Sequence, residues 1–302
     1  MKRLPQIGWL ADGRRLHLQD GPIDLIVEAR GSDDNLRAAY DAAARRLTGL
    51  LDELCDELPL LRSAADPRQC LLQGVVARRM HAAVAPFAAD HFITPMAAVA
   101  GAVAEEILGA MVREASLERA YVNNGGDIAL HLADGAQFTV GLVDRPDRPG
   151  LMATTIITAS DPSRGIATSG RHGRSFSLGI ADAVTVLART AAEADAAATI
   201  IANAIDLPGH PAIVRCRADE LQPDSDLGAR LVTRHVEVLE ECEVFSAIEA
   251  GADKARALLA AGLIDGAALR LQGEMRVVAL KKFGANEPSA VSRRQKESAI
   301  HA

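Results

Sequence analysis

The chain has 302 residues and a formal net charge of −7; 49% of its residues are hydrophobic, but only 3% are aromatic. This length suits one large domain or two small ones, with a core built mostly from Ala, Val, Leu and Ile. The acidic balance argues against a nucleic-acid-binding protein, and no membrane span is expected because no 18 apolar residues follow one another.

The cysteines and the N-terminus bear on the compartment. The cysteines are Cys55, Cys70, Cys216 and Cys242. They form no CxxC pair and have no zinc-ligand spacing with histidine, so they are interpreted as reduced thiols. No long apolar stretch follows Lys2 and Arg3, so a secretion signal is not expected. We therefore predict a cytoplasmic protein.

The N-terminal third predicts one hairpin and two helices. Residues 15–27 contain two alternating runs around Asp20-Gly21, which indicates a β-hairpin. Residues 35–61 have helical spacing and predict one long amphipathic helix. Residues 92–115 predict a second helix, capped by Thr94 with Pro95 in its first turn. Its run MAAVAGAVAEE lets a backbone or a ligand approach closely, and tight helix–sheet packing is the favoured interpretation.

Strands dominate the middle of the chain. Residues 120–132 precede a predicted hairpin that turns at residues 133–135 and returns over residues 137–143. Residues 151–159 and 180–188 predict further strands. Residues 190–205 predict a helix, because Thr190 and Glu193 form an S/T-x-x-E capping box.

The C-terminal part completes the expected α+β fold. Its predicted elements are strands over residues 212–216, 230–239 and 274–280 and a short helix over residues 252–261. Residues 281–302 are polar and are expected to be a disordered tail after a single domain over residues 1–280. Hairpins mixed with long helices predict mostly antiparallel sheets packed against long Ala-rich helices.

The first candidate motif, NNGGD at residues 123–127, is called the glycine turn below. Paired glycines permit positive φ and expose backbone N–H groups, so Asn124, Gly125 and Gly126 can cradle a phosphate or a ring carbonyl. Asp127 would orient a ribose or a ring N–H. The alternative is an ordinary tight turn before a strand.

The second candidate motif is GIATSG at residues 165–170, followed by RHGR. Small hydroxyl residues between glycines suit a loop against a flat ring or a phosphate. The candidate contacts in this loop are Thr168, Ser169 and Gly170. Arg171 and Arg174 can pair with phosphate through the guanidinium fork. His172 is either a general base or a solvent-exposed loop residue.

The third candidate motif lies in the predicted helix over residues 190–205. Asp195 and Thr199 are four residues apart and therefore share one helix face. A carboxylate and a hydroxyl are hard oxygen ligands that suit Mg²⁺ held mainly through phosphate and water. The alternative is the polar face of a surface helix.

The three motifs occur together and in order, and NNGGDI, GIATSG and ADAAAT resemble the pattern of the ApbE-like superfamily. Its best-known members are FAD:protein FMN transferases. The match covers about a third of the chain, residues 94–203. Within the superfamily, the segments TPMAAVAGAVAEE, DSDLGARLVT and GLIDGAALRLQGEMR are similar to a compact branch without an assigned activity.

The resemblance implies an α+β fold with a pocket for FAD or FMN and with Mg²⁺ at the pyrophosphate. The transferases cleave FAD and attach FMN to a threonine of a partner protein. By motif match, Asp195 and Thr199 would hold the Mg²⁺. The TSG residues would line the flavin, and the glycine turn would form another wall.

The chain also departs from the transferase pattern. The transferase segment H-I-x-D-P-x-T-G is shortened to FSLGIADA at residues 176–183. Asp182 is either the remnant of that segment or a residue that merely ends a strand. His172 would have to replace the missing catalytic-type histidine. A K-G pair of the transferases is Ala100-Gly101 here, so a phosphate-binding lysine is absent. Losing a positioned acid–base group typically lowers a rate by about 10²–10⁴.

Two functional hypotheses follow, and they leave open whether the protein is an enzyme. The first is a flavin- or nucleotide-binding protein with Mg²⁺, with altered transferase-like chemistry. The second is a non-catalytic accessory protein that retains the fold, which the family context links to sulfur or homocysteine metabolism. Numerous apolar helix faces also favour a homodimer.

Overall fold

The structure is a computed structural model that describes residues 4–143, 151–279, 284–285 and 299–301. The strands are β1 (Gln6–Trp9), β2 (Leu16–Asp20), β3 (Ile23–Arg30), β4 (Arg119–Asn124), β5 (Asp127–Leu132), β6 (Gln137–Val143), β7 (Leu151–Thr158), β8 (Gly165–Ser169), β9 (Ala183–Ala188), β10 (Ile213–Arg217), β11 (Leu231–Val236), β12 (Gly266–Leu271), β13 (Glu274–Ala279), β14 (Gly284–Ala285) and β15 (Ala299–His301). The helices are α1 (Asp33–Leu47), α2 (Leu50–Asp56), α3 (Leu58–Leu61), α4 (Val75–Val84), α5 (Val99–Glu114), α6 (Ala191–Ala204), α7 (Ala218–Leu221) and α8 (Glu241–Ala260), with 3₁₀ turns at Ala85–Phe87 and Pro95–Ala98.

Within the described residues, the strands form one large sheet and two smaller ones. The large sheet is antiparallel and has nine strands in the order β1-β2-β3-β4-β5-β8-β9-β12-β13. A second sheet has the order β14-β7-β6-β15, and β10 pairs with β11 as a separate ribbon. The predicted α+β class with mostly antiparallel sheets is confirmed.

The large sheet lies between a helix layer and the second sheet. The outer strands β2 and β3 alternate buried and half-buried residues, as expected for a sheet covered mainly on one face. By contrast, the central strands β8 and β9 have runs of buried residues because both faces are covered. The main core joins sheet residues such as Leu25 to Met111 of α5 and Ile201 of α6. A second core packs Ile128 and Ile166 against Phe138 of β6.

The chain breaks the long helix that we predicted over residues 35–61. The helix α1 ends at Leu47, and α2 and α3 follow as separate short helices. Gly49 adopts a φ of +86°, in the left-handed region that ends helices and that glycine occupies without strain. Helical spacing alone did not reveal this break.

The predicted hairpin at residues 133–135 is also wrong, because β5 and β6 belong to different sheets. The strand β5 pairs with β4 and β8, whereas β6 pairs with β7 and β15. The hairpin around β5 instead turns at the glycines before it. GIATSG, which we expected to be a loop, is mostly the central strand β8. A Cβ atom on Gly165 would lie 2.0 Å from the carbonyl oxygen of Thr190, so this glycine serves close packing rather than a turn.

Other local predictions are closer to the structure. Thr190 accepts the N–H of Glu193 at 3.2 Å and caps α6 as predicted. Thr94 does not cap a helix through its side chain, because its hydroxyl donates to Asp226. The helix predicted to begin at residue 252 already begins at Glu241, where Glu240 and Glu243 form a capping box. The sequence reading missed α4 and β12.

The segment Pro95–Glu114, which includes α5, is long and apolar enough by composition to cross a membrane. Its most apolar window is 61% buried inside the protein, as expected for the central helix of a core. The predicted tail over residues 281–302 falls mostly outside the described residues. That tail and the single-domain boundary at residue 280 therefore remain predictions.

Candidate functional site

One end of the large sheet collects the predicted site residues. The glycine turn connects β4 to β5 there, and the register pairs Asn124 with Asp127. The adjacent strand β8 ends at the same edge, and its Ser169 pairs with Val184 near the start of β9. Because neighbouring strands are antiparallel, every second connection lies at this edge, so segments distant in sequence meet there.

The glycine turn depends on two left-handed residues. Gly125 has a φ of +67° and Gly126 a φ of +113°, conformations that favour glycine. The Asn123 side-chain oxygen accepts the N–H of Gly126 at 2.8 Å. The buried Asn124 side chain donates to the carbonyl of Ala100 at 3.2 Å. The turn is therefore fixed both internally and against the beginning of α5.

Asp127 follows this turn and faces β8. Its carboxylate accepts the N–H of Thr168 at 3.3 Å. Burial raises the pKa of Asp127 to about 7, although the Thr168 N–H and the nearby Arg174 act to lower it. The Thr168 hydroxyl shares a hydrogen bond of 2.9 Å with the buried Thr185 hydroxyl. Asp127 is thus a carboxyl group that titrates near neutral pH.

Asp195 supplies a second carboxyl group from α6. It accepts the N–H groups of Gly101, at 3.1 Å, and of Ala100, both in the first turn of α5. Burial and repulsion by the Asp127 charge raise the pKa of Asp195 well above its usual value, despite these two donors. Two carboxyl groups from different elements therefore interact electrostatically at one place.

Helices α5 and α6 approach unusually closely beside Asp195. A Cβ atom on Gly101 would lie 2.3 Å from the carbonyl oxygen of Ala191. Further along α5, the Glu105 carboxylate accepts the N–H of Ala192 at 2.7 Å. Each helix thus places a carboxylate on free N–H groups in the first turn of the other, which the helix dipole favours. This reciprocal capping fixes the position of Asp195.

Arg174 is exposed and covers the glycine turn. A Cβ atom on Gly125 would lie 2.0 Å from the nearest guanidinium nitrogen of Arg174, so the arginine rests directly on the glycine. Its charge also reaches Asp127. The site consequently combines two half-buried acidic groups with one exposed cation.

Arg171, His172 and Asp182 form a separate cluster. The Asp182 Oδ1 accepts Nε and Nη2 of Arg171 at 2.9 and 2.6 Å, and His172 Nε2 lies 3.3 Å away. The Asp182 Oδ2 accepts the N–H of Gln272 at 2.6 Å. This carboxylate is therefore occupied, and Arg171 would have to leave it to bind a phosphate. His172 is exposed, which agrees with its interpretation as a solvent-exposed loop residue.

The remaining predicted site residues are Thr199 and Gly170. Thr199 is half-buried one helical turn after Asp195. Gly170 has a φ of +152°, and a Cβ there would lie 2.5 Å from the Asp182 carbonyl oxygen. Among the described residues, no group of three or more His, Cys, Asp or Glu side chains is placed to hold a metal ion. A cation here would need ligand oxygens from a substrate or water in addition to the protein.

Sequence reasoning missed several contributors to this site. The first-turn N–H groups of α5 are invisible in a side-chain motif, although the small residues around Gly101 indicated a close approach. Gln272 gave no signal either, because glutamine is not a typical turn residue. It nevertheless adopts a φ of +43° in the turn between β12 and β13. Both contributions depend on tertiary packing between segments that are distant in sequence.

These features define an α+β protein with a two-carboxylate site at one end of an antiparallel sheet. The chain belongs to a bacterial AbpE family, described as "AbpE bacteria", whose profile matches residues 7–277. This match, together with the relatives below, confirms the predicted resemblance to the ApbE-like superfamily.

Archaeal relatives share part of the sequence. A UPF0280 protein of Methanopyrus kandleri is 41% identical over 129 residues, which cover 42% of this chain and 48% of the relative. A UPF0280 protein of Methanothrix thermoacetophila is 39% identical over 122 residues, which cover 37% and 46%. The chain thus spans about half the length of the curated relatives it matches.

Solved structures of a flavin transferase are also similar. The Flavin Transferase ApbE from Vibrio cholerae is 13% identical, with a TM-score of 0.37, covering 91% of this chain and 96% of that chain. A mutant of the same transferase is 11% identical, with a TM-score of 0.43, covering 88% and 97%.

Proposed function

We propose that the protein binds a flavin nucleotide, FAD or FMN, or another nucleotide, together with Mg²⁺, at the glycine-turn edge of the large sheet. The observation that carries this proposal is the pair Asp127 and Asp195. Their charges repel each other and burial raises both pKa values, so ionising both is unfavourable without a cation. A divalent cation beside the two carboxyl groups would offset that repulsion.

Different residues would bind different parts of the ligand. Asp195 and Thr199 would hold the Mg²⁺ together with oxygens of the phosphate groups, and Asp127 would add the second negative charge. Arg174 is exposed on the glycine turn and pairs with a phosphate through its guanidinium group. Thr168, Ser169 and Gly170 lie beside the flat ring of the flavin.

The chemistry of this site is that of a divergent transferase. A Mg²⁺ ion bound at Asp195 and Thr199 would supply positive charge beside a phosphate, which is the general contribution of metal ions to phosphoryl chemistry. His172 is the group that would move a proton. Its contact with Asp182 at 3.3 Å would keep the ring oriented. The family membership supports a relation to flavin transferases at the level of the superfamily.

The experiment that tests the proposal is a thermal unfolding series. Purified protein is melted with FAD, FMN or ADP, each in excess Mg²⁺ or in EDTA. We expect a higher Tm with nucleotide only when Mg²⁺ is present, since ligand at about 100 times its Kd stabilises by about 2.7 kcal/mol. The site variant Asp195→Asn should lose the shift, while the exposed control Asp134→Asn should keep it.

No shift with any nucleotide, with or without Mg²⁺, would contradict the proposal. It would favour the non-catalytic accessory protein, with which the replacement of the family's K-G pair by Ala100-Gly101 is consistent. A cytoplasmic location and a homodimer complete the proposal. Light scattering of the purified protein tests the homodimer.

A further inference from the structure

The loop that carries Arg174 is held at its beginning by one carboxylate. Asp182 receives both Nε and Nη2 of Arg171, and the N–H of Arg171 donates to the carbonyl of Ala181 at 2.9 Å. The side chains of Arg171 and Asp182 are only 17% and 13% exposed. A partly buried arginine–carboxylate contact, here with two N–H groups on the single oxygen Oδ1, is a more rigid link than an exposed ion pair.

Asp182 is itself fixed to the large sheet. Its Oδ2 accepts the N–H of Gln272 at 2.6 Å, and its own N–H donates to the carbonyl of Arg270 at 3.0 Å. Gln272 is held in turn by its side chain, which donates to the carbonyl of Glu237 at 2.7 Å and accepts the N–H of Leu239 at 3.0 Å. The anchor of the loop thus extends to the turn between β12 and β13.

The proposed ligand would bind at the other end of the same loop, where Arg174 lies. Arg174 follows Arg171 by three residues and lies exposed on Gly125, close enough to Asp127 to act on its charge. An exposed arginine loses side-chain conformational entropy when it is held in one place. An anchored backbone at Arg171 reduces the number of positions that Arg174 samples.

We propose that Asp182 is a positioning residue that holds the loop over residues 170–174, so that Arg174 lies on the glycine turn ready to meet the phosphate of the nucleotide. The inference rests on the proposed function. It gives Asp182 a different role from the catalytic one that the sequence pattern suggested, because both carboxylate oxygens already accept hydrogen bonds. It also makes the turn at Gln272 part of the binding apparatus.

A double-mutant cycle on nucleotide affinity tests this role. The Kd of ADP with Mg²⁺ is measured for the wild type, Asp182→Asn, Arg174→Ala and the double variant. We expect Asp182→Asn to weaken binding about tenfold in the wild type and to have almost no effect in Arg174→Ala, because coupled residues are not additive. An equal loss in both backgrounds, or no loss in the wild type, would overturn the proposal.

A matched control and a ligand-free measurement complete the design. Asp219→Asn removes a similar contact, in which Asp219 accepts Nε and Nη2 of the exposed Arg217, and should leave the Kd unchanged. Without nucleotide, the NMR order parameter of the Arg174 Nε–H should fall in Asp182→Asn, should not fall in Asp219→Asn and should recover partly in Asp182→Glu. If the wild type binds no nucleotide, the proposed function fails; an unchanged order parameter then separately overturns the positioning role.

Discussion

At the scale of single residues, the raised pKa of Asp127 predicts a dependence of stability on pH. The usual value of 3.8 rises to about 7 in the folded protein because of burial, so the folded state holds the proton more tightly than the unfolded state does. The stabilisation of the folded state by the protonated Asp127 carboxyl group is therefore complete below about pH 4 and is lost as the pH rises towards 7. Urea unfolding in EDTA should show the wild type losing free energy of unfolding relative to Asp127→Asn across this interval.

The control for this prediction is Asp134→Asn, which makes the same substitution at an exposed carboxyl group. Asn at position 127 retains an oxygen that can accept the N–H of Thr168, so the variant should fold. If the stability of the wild type and of Asp127→Asn changes in parallel between pH 4 and 7, the carboxyl group is not buried as described.

Gly125 allows a second prediction, because its positive φ affects stability whereas its contact with Arg174 affects ligand binding. Gly125→Ala should reduce stability by about 1 kcal/mol, the usual effect of a left-handed alanine. Its Cβ would also displace Arg174, which lies within 2.0 Å of that position. Binding of ADP with Mg²⁺, measured by calorimetry, should therefore weaken as it does in Arg174→Ala.

Gly135→Ala is the matched control for this turn. Gly135 has a φ of +79°, yet a Cβ there meets nothing within 4 Å. The two alanine variants should lose similar stability, but only Gly125→Ala should lose affinity. Equal affinities would show that Arg174 takes no part in binding.

At the scale of elements, the crossing of α5 and α6 at Gly101 decides where Asp195 lies. A Cβ on Gly101 would lie 2.3 Å from the carbonyl oxygen of Ala191 and 2.7 Å from the nitrogen of Ala192, so the two backbones must separate. We expect Gly101→Ala to lower the free energy of unfolding by about 3 kcal/mol, at the upper end for overpacking. Chemical denaturation measures this loss.

Gly109→Ala, in the same helix, is the internal control. There a Cβ meets only the end of the Arg113 side chain, at 3.2 Å, which can move. Replacing a glycine inside a helix by alanine should stabilise by about 0.5–1 kcal/mol. If both variants of α5 are stabilised, the close contact of α5 with α6 does not exist.

The elements that the sequence predicted well are those with local signals. The hairpin at Asp20-Gly21 follows from turn chemistry and alternation, and α6 follows from its capping threonine. The failures among the strands have a common cause, which is that pairing between distant strands has no local signal. Residues 165–170 have the composition of a loop, but residues 165–169 form β8 because strands on both sides supply hydrogen-bonding partners.

In the candidate site, too, residues with a local sequence signal were predicted, and contacts between distant segments were not. The glycine turn, the TSG residues and Asp195 were found as motifs, and the structure brings the turn, Thr168 and Asp195 together. The first-turn N–H groups of α5 and the Asp182–Gln272 contact could not be predicted, because both depend on tertiary packing. The sequence thus identified the side chains of the site, but not the backbone that orients them.

At the scale of the whole molecule, a partly buried ion network joins α1, α4 and α5. The Glu106 side chain is 7% exposed and accepts hydrogen bonds from Arg46 at 2.7 Å and from Arg79 at 3.1 Å. Arg79 also contacts Glu105 at 3.1 Å, the residue that caps α6. The network therefore links the outer helices to the two that position Asp195.

Glu106→Gln tests how much this network stabilises the fold. Burial opposes ionisation, but Arg46 and Arg79 together lower the pKa of Glu106 below its usual value. Its contribution is therefore present above the unfolded pKa, near 4.5, and is lost as the pH falls through the lower folded value. Removing the charge should cost about 2–3 kcal/mol at pH 7 in urea unfolding, because two arginines lose a buried partner.

Glu53→Gln is the matched variant in which Arg46 loses an exposed carboxylate partner instead of a buried one. Glu53 contacts the same Arg46 at 2.9 Å, but its side chain is 50% exposed, so its loss should cost under about 1 kcal/mol. The effect of Glu106→Gln should also shrink at low pH, in the opposite direction to that of Asp127. If the two glutamine variants are equally stable, the network does not stabilise the packing of α5. The position of Asp195 would then depend on the contact between α5 and α6 alone.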